Sequence, residues 1–149
     1  VALDEALSSA DGVDAVLAAD VTVELWRKFA FICAQAGMTA TTRLPIGEIR
    51  ETEASWAMYR HLMEEVCAVA RAEGIDLPDG TVAEWLDFAR DLEADAYSSL
   101  HYDLTHDKPL ELDALNGSVV RHAADAGVAV PANEAVHAIL RPWADRHRA

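Results

Sequence analysis

The sequence has little positive charge. Of its 149 residues only 12 are lysine or arginine, against 26 aspartates and glutamates, so the formal net charge is −14. With acids outnumbering bases two to one, no face can present the clustered lysines and arginines that bind a phosphate backbone. The composition therefore argues against DNA or RNA as a partner.

Cysteine is also scarce. Cys33 and Cys67 are the two cysteines, and each lies in an apolar stretch without CxxC or Cys/His spacing. This arrangement predicts buried free thiols rather than a disulfide or a zinc site, and it favours a reducing compartment. We therefore expect a cytoplasmic protein.

Long hydrophobic runs and glycine-rich motifs are missing as well. The longest apolar run, Phe29 to Ala36, is interrupted at Gln35, well short of the roughly 20 residues that a membrane span needs. The seven glycines are scattered and follow neither GxGxxG nor GxxxxGK[ST] order, so no phosphate cradle is expected. The first residue is Val1 rather than methionine, and no basic region followed by an apolar stretch predicts a signal peptide. We expect the chain to be a piece of a longer protein.

What the sequence does contain is helical periodicity. Apolar residues recur at spacings of three and four from Trp56 to Ala70, with Gly74 as a stop signal. From Asp20, a suitable N-cap, through Ala36 the chain is apolar on nearly every side, which predicts a central buried helix. Weaker stripes predict helices over residues 3–17, 112–126 and 136–143. No alternating run indicates a strand, so the expected fold is all-α, with six or seven helices.

Two local signals refine this outline. Gly37 is interpreted as a turn because glycine commonly interrupts regular structure. Thr81 and Glu84 have capping-box spacing, which predicts a helix start with reciprocal side-chain hydrogen bonds.

A few polar or charged residues interrupt the apolar pattern and are candidates for a functional role. Lys28 lies in the most apolar helix, so its ammonium must either reach water or face a polar cleft. Exposure to water is the simpler of these two alternatives. Glu111 follows Pro109 at a helix start, where an acid interacts favourably with the helix dipole. The Ser98 and Ser99 pair is typical of an N-cap.

A metal site is considered for the cluster His101, Asp103, His106 and Asp107, because imidazole and carboxylate are good ligands. On a helix, residues five apart point to different faces, so His101 and His106 would not converge. We expect no metal, and a small metalloprotein remains the third alternative.

Several stretches, taken in chain order, resemble the motifs of one family. They are Leu25–Phe29 (LWRKF), Pro45–Glu48 (PIGE), Ala70–Ile75 (ARAEGI), Ser98–Asp103 (SSLHYD) and Glu111–Gly117 (ELDALNG). From about Asp20 onward the chain resembles the C-terminal domain of ketopantoate reductases (2-dehydropantoate 2-reductases). The resemblance implies a two-domain, NADP-dependent oxidoreductase acting on a small 2-keto acid. Its N-terminal Rossmann domain, absent from this chain, would hold most of the cofactor, and its helical domain would be like that of 6-phosphogluconate dehydrogenases.

The same resemblance assigns roles to particular residues. Lys28 would be the catalytic lysine, and Glu111 would contact the reacting hydroxyl and the nicotinamide ribose. Ser99 would hold the substrate carboxylate, with His101 and Asp103 as further substrate-binding positions.

The sequence departs from the family pattern at three positions. Where substrate-binding asparagines are usual, it has Ile32, Ala36 and Ile46. An apolar wall cannot select a hydroxylated tail by hydrogen bonding, so we expect a 2-keto acid less polar than ketopantoate. The alternative is a non-catalytic helical module for dimerisation or binding that kept the fold and lost the chemistry.

We also expect a homodimer. The helix from Trp56 to Ala70 and the central helix carry more apolar surface than one small bundle obviously covers. These two helices are therefore the predicted contacts between the two copies.

Overall fold

A computed structural model describes residue 12 and residues 17–147, and this part of the chain forms seven α-helices. They are α1 (Val21–Thr42), α2 (Ile46–Glu51), α3 (Glu53–Ala72), α4 (Thr81–Asp91), α5 (Ser99–Thr105), α6 (Asn116–Ala126) and α7 (Pro131–Ala144). Two short 3₁₀ helices cover Glu111–Asp113 and Asp145–His147. The described part contains no strand, which confirms the all-α prediction. The helix predicted over residues 3–17 lies outside the described residues, apart from its position 12 and its last residue.

The centre of the bundle is α1, as its apolar character predicted. Asp20 caps it, because the Asp20 Oδ1 accepts a hydrogen bond from the Thr22 amide at 2.8 Å. Every residue from Cys33 to Ala40 is buried, and α3, α5 and α7 pack around this helix. None of the described helices is long and apolar enough to span a bilayer.

Gly37 lies inside α1, so its interpretation as a turn is wrong. A Cβ at this position would lie 3.1 Å from the Val136 Cγ1 and 3.3 Å from the Asn116 Nδ2. The missing side chain thus lets α6 and α7 approach α1 closely. Tight helix packing, not a turn, is the reason for glycine here.

The apolar face of α3 is used inside the chain. Tyr59, Leu62, Met63 and Val66 are fully buried, and the Tyr59 hydroxyl donates to the Gln35 Oε1 at 3.1 Å. Burial raises the pKa of Tyr59. This chain therefore buries much of the apolar face of α3 itself. On α1, in contrast, Val21 and Leu25 are exposed, and the expected contact between two copies stays a prediction.

The start of α4 differs from the predicted capping box. Gly80 is the N-cap, and the buried Thr81 donates its hydroxyl proton to the Pro78 carbonyl at 2.8 Å. Glu84 instead accepts a hydrogen bond from the Arg27 guanidinium at 2.5 Å. The helix begins where predicted, but a partner 57 residues away engages the glutamate.

The stripe that begins at Leu112 is broken rather than forming one helix. The 3₁₀ helix Glu111–Asp113 comes first, and α6 begins at Asn116. The buried Asn116 donates from Nδ2 to the Cys33 carbonyl at 3.3 Å and to the Asn133 Oδ1 at 2.9 Å. This link fixes the start of α6 against the middle of α1.

The start of α7 is held by a side chain from α3. The Glu65 carboxylate accepts hydrogen bonds from the amides of Ala132 and Asn133, at 2.8 and 2.9 Å, and from the Asn133 Nδ2 at 2.8 Å. Backbone donors at a helix start have no partner within the helix, so a carboxylate there stabilises it.

Candidate active site

A cavity of about 500 Å³ lies between α1 and α6. One face of α1 forms most of its wall, because residues three and four apart share a helix face. The cavity is lined by Leu25, Trp26, Lys28, Phe29, Ile32 and His122. The lining is apolar except for the Lys28 ammonium and the His122 imidazole.

Lys28 differs from its neighbour Arg27 in its electrostatic surroundings. The Arg27 guanidinium contacts the Glu24 carboxylate at 3.1 Å and the Glu84 carboxylate at 2.5 Å. Lys28 is exposed at the edge of the cavity and makes no ion pair with any residue in the described ranges. Its ammonium therefore remains available to an anionic or carbonyl ligand.

His122 is held in place from two sides. Its Nδ1 lies 2.5 Å from the Glu73 Oε1, and its ring packs edge-on against Trp26, with the ring centroids 5.5 Å apart. These contacts fix the orientation of the imidazole at the cavity wall. Sequence reasoning missed His122, and the available signal was its position next to the buried Ala123 on the inner side of α6.

The two serines at the start of α5 have different surroundings. Ser98 is the N-cap and its Oγ accepts a hydrogen bond from the His101 amide at 3.1 Å. Ser99 is exposed, and its hydroxyl has no hydrogen bond to a described residue. The N-cap interpretation of the serine pair is thus correct for Ser98, and Ser99 has a hydroxyl available to a ligand.

Glu111 begins the 3₁₀ turn that precedes α6. Its backbone carbonyl accepts hydrogen bonds from the amides of Ala114 and Leu115 at 3.0 and 3.1 Å. The side chain is exposed and has no ion pair within the part of the chain that the structure describes. The turn therefore presents the carboxylate to solvent.

His101 and Asp103 lie on α5 and are partly buried. The His101 ring stacks on Tyr97 with the ring centroids 4.0 Å apart, and burial together with the positive charge of Arg43 lowers the pKa of His101. Across residues 17–147, no three His, Cys, Asp or Glu side chains are grouped to hold a metal ion. The metalloprotein alternative therefore has no support from the described structure.

A family comparison decides the identity of the chain. The sequence-family model for the C-terminal region of ketopantoate reductase PanE/ApbA matches residues 20–144 of this chain. The chain belongs to the ketopantoate reductase family. A 2-dehydropantoate 2-reductase from Caulobacter vibrioides is 39% identical over 121 residues, which cover 81% of this chain and 41% of that relative.

Solved structures of ketopantoate reductases share the fold. A PanE/ApbA family ketopantoate reductase from Ralstonia eutropha JMP134 is 37% identical with a TM-score of 0.82, and the match covers 93% of this chain and 46% of that chain. A dimeric ketopantoate reductase from Staphylococcus aureus is 25% identical with a TM-score of 0.82, over 90% of this chain and 47% of that chain. The chain thus spans less than half the length of these relatives.

In this ketopantoate reductase domain, the three positions at which the family commonly has asparagine have different surroundings. Ile32 lines the cavity beside Lys28. Ala36 is 2% exposed and Ile46 is fully buried, so both contribute to the core. Ile32 is accordingly the substitution that changes the wall of the cavity.

The residues singled out in the sequence lie on three elements. Lys28 is on α1, Ser99, His101 and Asp103 are on α5, and Glu111 is on the turn before α6. Lys28, Ser99 and Glu111 make no direct contact with one another among the hydrogen bonds and ion pairs of the described residues. Lys28 is the member of this set that lines the cavity.

Proposed function

We propose that this chain is the C-terminal, substrate-binding half of an NADP-dependent oxidoreductase that reduces a 2-keto acid to a 2-hydroxy acid. One observation carries the proposal. In a chain of the ketopantoate reductase family, the Lys28 ammonium has no counter-ion among the described residues and borders an apolar cavity of about 500 Å³. A carbonyl compound with an apolar body fits such a site.

The chemistry assigned to Lys28 follows from charge. The nicotinamide cofactor, when bound, supplies a hydride to the carbonyl carbon. Negative charge then develops on the carbonyl oxygen, and the Lys28 ammonium stabilises this charge and donates a proton to form the hydroxyl. In the reverse direction, the Lys28 amine accepts that proton.

The other polar groups would bind and orient the substrate. The exposed Glu111 carboxylate accepts a hydrogen bond from the product hydroxyl, and the Ser99 hydroxyl donates one to the substrate carboxylate. His101 and Asp103, on the same helix as Ser99, are the further substrate-binding positions of this proposal. Ile32 and the aromatic rings of the cavity wall would contact the substrate tail.

Five of the described glycines are poorly placed to hold the pyrophosphate of a dinucleotide. Gly37, Gly47 and Gly117 have protein atoms within 3.1 Å of where a Cβ would lie, so their close packing leaves no cradle for phosphate. Gly74 and Gly127 lie at helix C-termini, where the dipole repels anions. We therefore assign phosphate binding to an N-terminal Rossmann domain, outside this chain.

We also propose how this protein assembles and where in the cell it works. A ketopantoate reductase that shares the fold is dimeric, and we propose a homodimer here as well. Cys33 and Cys67 are free and buried, and burial raises the pKa of both thiols. Two unpaired thiols suit a reducing compartment, so we propose a cytoplasmic enzyme.

The test is turnover by the complete protein. We expect it to oxidise NADPH in the presence of 2-keto acids, with phenylpyruvate and ketopantoate as apolar and polar members of the panel. We expect the isolated chain to show neither turnover nor NADPH binding in a calorimetric titration. A folded complete protein that reduces no 2-keto acid with NADPH or NADH would contradict the proposal and favour the non-catalytic helical module.

A further inference from the structure

The 3₁₀ turn Glu111–Asp113 is held by charged side chains that the proposed chemistry does not use. Arg141 of α7 contacts both oxygens of the Asp113 carboxylate, with 2.5 Å between Nη2 and Oδ1 and 3.4 Å between Nη1 and Oδ2. Such two-point pairing between a guanidinium and a carboxylate fixes orientation as well as distance. Arg141 therefore sets the position of Asp113 relative to α7.

A second arginine holds the backbone of the same turn. The Arg121 Nη2 donates to the Asp113 carbonyl at 2.9 Å, and its Nη1 donates to the Gly117 carbonyl at 3.1 Å. Leu112, between Glu111 and Asp113, is fully buried in the core. The turn is thus fixed by the core, by α6 and by α7.

The packing behind the turn is close. A Cβ on Gly117 would lie 3.0 Å from the Leu112 carbonyl oxygen and 3.1 Å from the His137 ring. His137 is itself engaged, because its Nε2 lies 2.5 Å from the Arg141 Nη2 and 3.5 Å from the Asp113 Oδ1. His137 and Arg141 of α7 thus form the support directly behind the turn.

The Glu111 side chain, in contrast, depends on the turn for its position. Successive residues of a 3₁₀ helix point about 120° apart, so Glu111 and Asp113 face different directions. The Glu111 carboxylate is exposed and makes no ion pair with a described residue. Its location is therefore set by the backbone that carries it.

We propose that Arg141 is a positioning residue, which acts through Asp113 to hold the Glu111 carboxylate where the substrate hydroxyl forms. The inference rests on the proposed function, in which Glu111 touches that hydroxyl. A partly exposed ion pair contributes little to stability, whereas a displacement of about 1 Å in an active site can lower the rate by roughly a hundredfold. The effect of Arg141 is thus expected mainly on the rate of the chemical step.

The first experiment compares arginine variants of the complete enzyme. Arg141→Met should lower kcat by about tenfold or more, as expected for a misplaced catalytic group, with the KM for NADPH nearly unchanged. Arg141→Lys keeps the charge but loses the two-point pairing, so it should restore part of kcat. Arg90→Met is the matched control, since Arg90 pairs with Asp87 at 2.5 Å on α4 and should leave kcat unchanged.

A double-mutant cycle with Glu111→Gln separates positioning from a general structural role. If Arg141 acts through Glu111, Arg141→Met will lower kcat in the parent enzyme but cause little further loss in the Glu111→Gln enzyme. Equal fold losses in both backgrounds, or an unchanged kcat in Arg141→Met, would overturn the inference. If Arg141→Met does not fold, Arg141→Lys and Asp113→Asn provide the same comparison.

If the proposed function is wrong, these experiments give a different result from the one expected if only the positioning role is wrong. A parent enzyme without activity on any 2-keto acid would remove the catalytic role of Glu111, and the positioning role of Arg141 would be wrong with it. An active parent in which Glu111→Gln matters and Arg141→Met does not would overturn the positioning role alone.

Discussion

The hydroxyl oxygens of Thr39 and Ser98 lie 2.7 Å apart, and this contact joins the start of α5 to the centre of α1. The Thr39 hydroxyl proton is donated to the Gln35 carbonyl at 2.7 Å, so Ser98 is the donor between the two hydroxyls. The Ser98 Oγ also accepts from the His101 amide. Ser98 is therefore used in fixing α5, while the adjacent Ser99 remains exposed.

This division predicts opposite effects for the two serines. Ser98→Ala removes a cap and a partly buried hydrogen bond to Thr39, so it should lower the free energy of unfolding by about 1 kcal/mol. Ser99→Ala should leave stability unchanged and raise the KM for the 2-keto acid. Urea unfolding and steady-state kinetics on both variants measure these effects, and a stability loss confined to Ser99→Ala would contradict the assignment.

The catalytic role of Lys28 predicts a loss of rate without a loss of cofactor affinity. Lys28→Ala in the complete enzyme should lower kcat by about 10²- to 10⁴-fold, because it removes a proton donor and its charge. The affinity for NADPH, measured by calorimetry, should stay nearly intact.

The chain offers a matched control for this experiment. Lys108 is its only other lysine, with its ammonium 4.6 Å from the centre of the Tyr102 ring, and Lys108→Ala should retain full turnover. Equal turnover in Lys28→Ala and the parent would exclude Lys28 from the reaction.

The cavity wall predicts the substrate preference. Because Ile32 lines the cavity, the complete enzyme should prefer phenylpyruvate to ketopantoate. Ile32→Asn supplies a hydrogen-bonding group and should shift the ratio of kcat/KM values toward ketopantoate by about tenfold. Ile139→Asn, on an exposed position of α7, is the control, and a parent enzyme that strongly prefers ketopantoate would contradict this prediction.

The surroundings of His137 predict a pH dependence of stability. Burial and the positive charges of Arg141 and Arg121 lower the pKa of His137 in the folded protein. As the pH falls below the unfolded value of about 6.5, the unfolded state takes up a proton first, so the free energy of unfolding decreases. Above that pH the ring is neutral in both states and this contribution vanishes.

The measurement is urea unfolding of the parent and His137→Asn at several pH values from about 7 to 5.5. We expect the free energy of unfolding to fall less steeply with decreasing pH in the variant, whatever its stability at neutral pH. Parallel pH dependences would show that the folded protein does not lower the pKa of His137.

Much of the local structure was determined by the sequence alone. Apolar periodicity predicted α1 and α3, and the helix starts at Asp20 and Ser98 were correct because a capping side chain bonds to amides two or three residues away. The family resemblance is likewise carried by short motifs, and the match over residues 20–144 confirmed it. Such features depend on neighbours within about one helical turn, which the sequence displays directly.

Only the tertiary structure decided which residues meet across the bundle. Gly37 is a packing position because α6 and α7 lie close to α1 there. The Glu84 carboxylate pairs with Arg27 on another helix instead of capping its own helix. The same packing put Ile32 in the cavity with His122 and enclosed Ala36 in the core. These outcomes depend on how helices distant in sequence fit together, and the shape and charge of each contact surface exist only after the helices have packed.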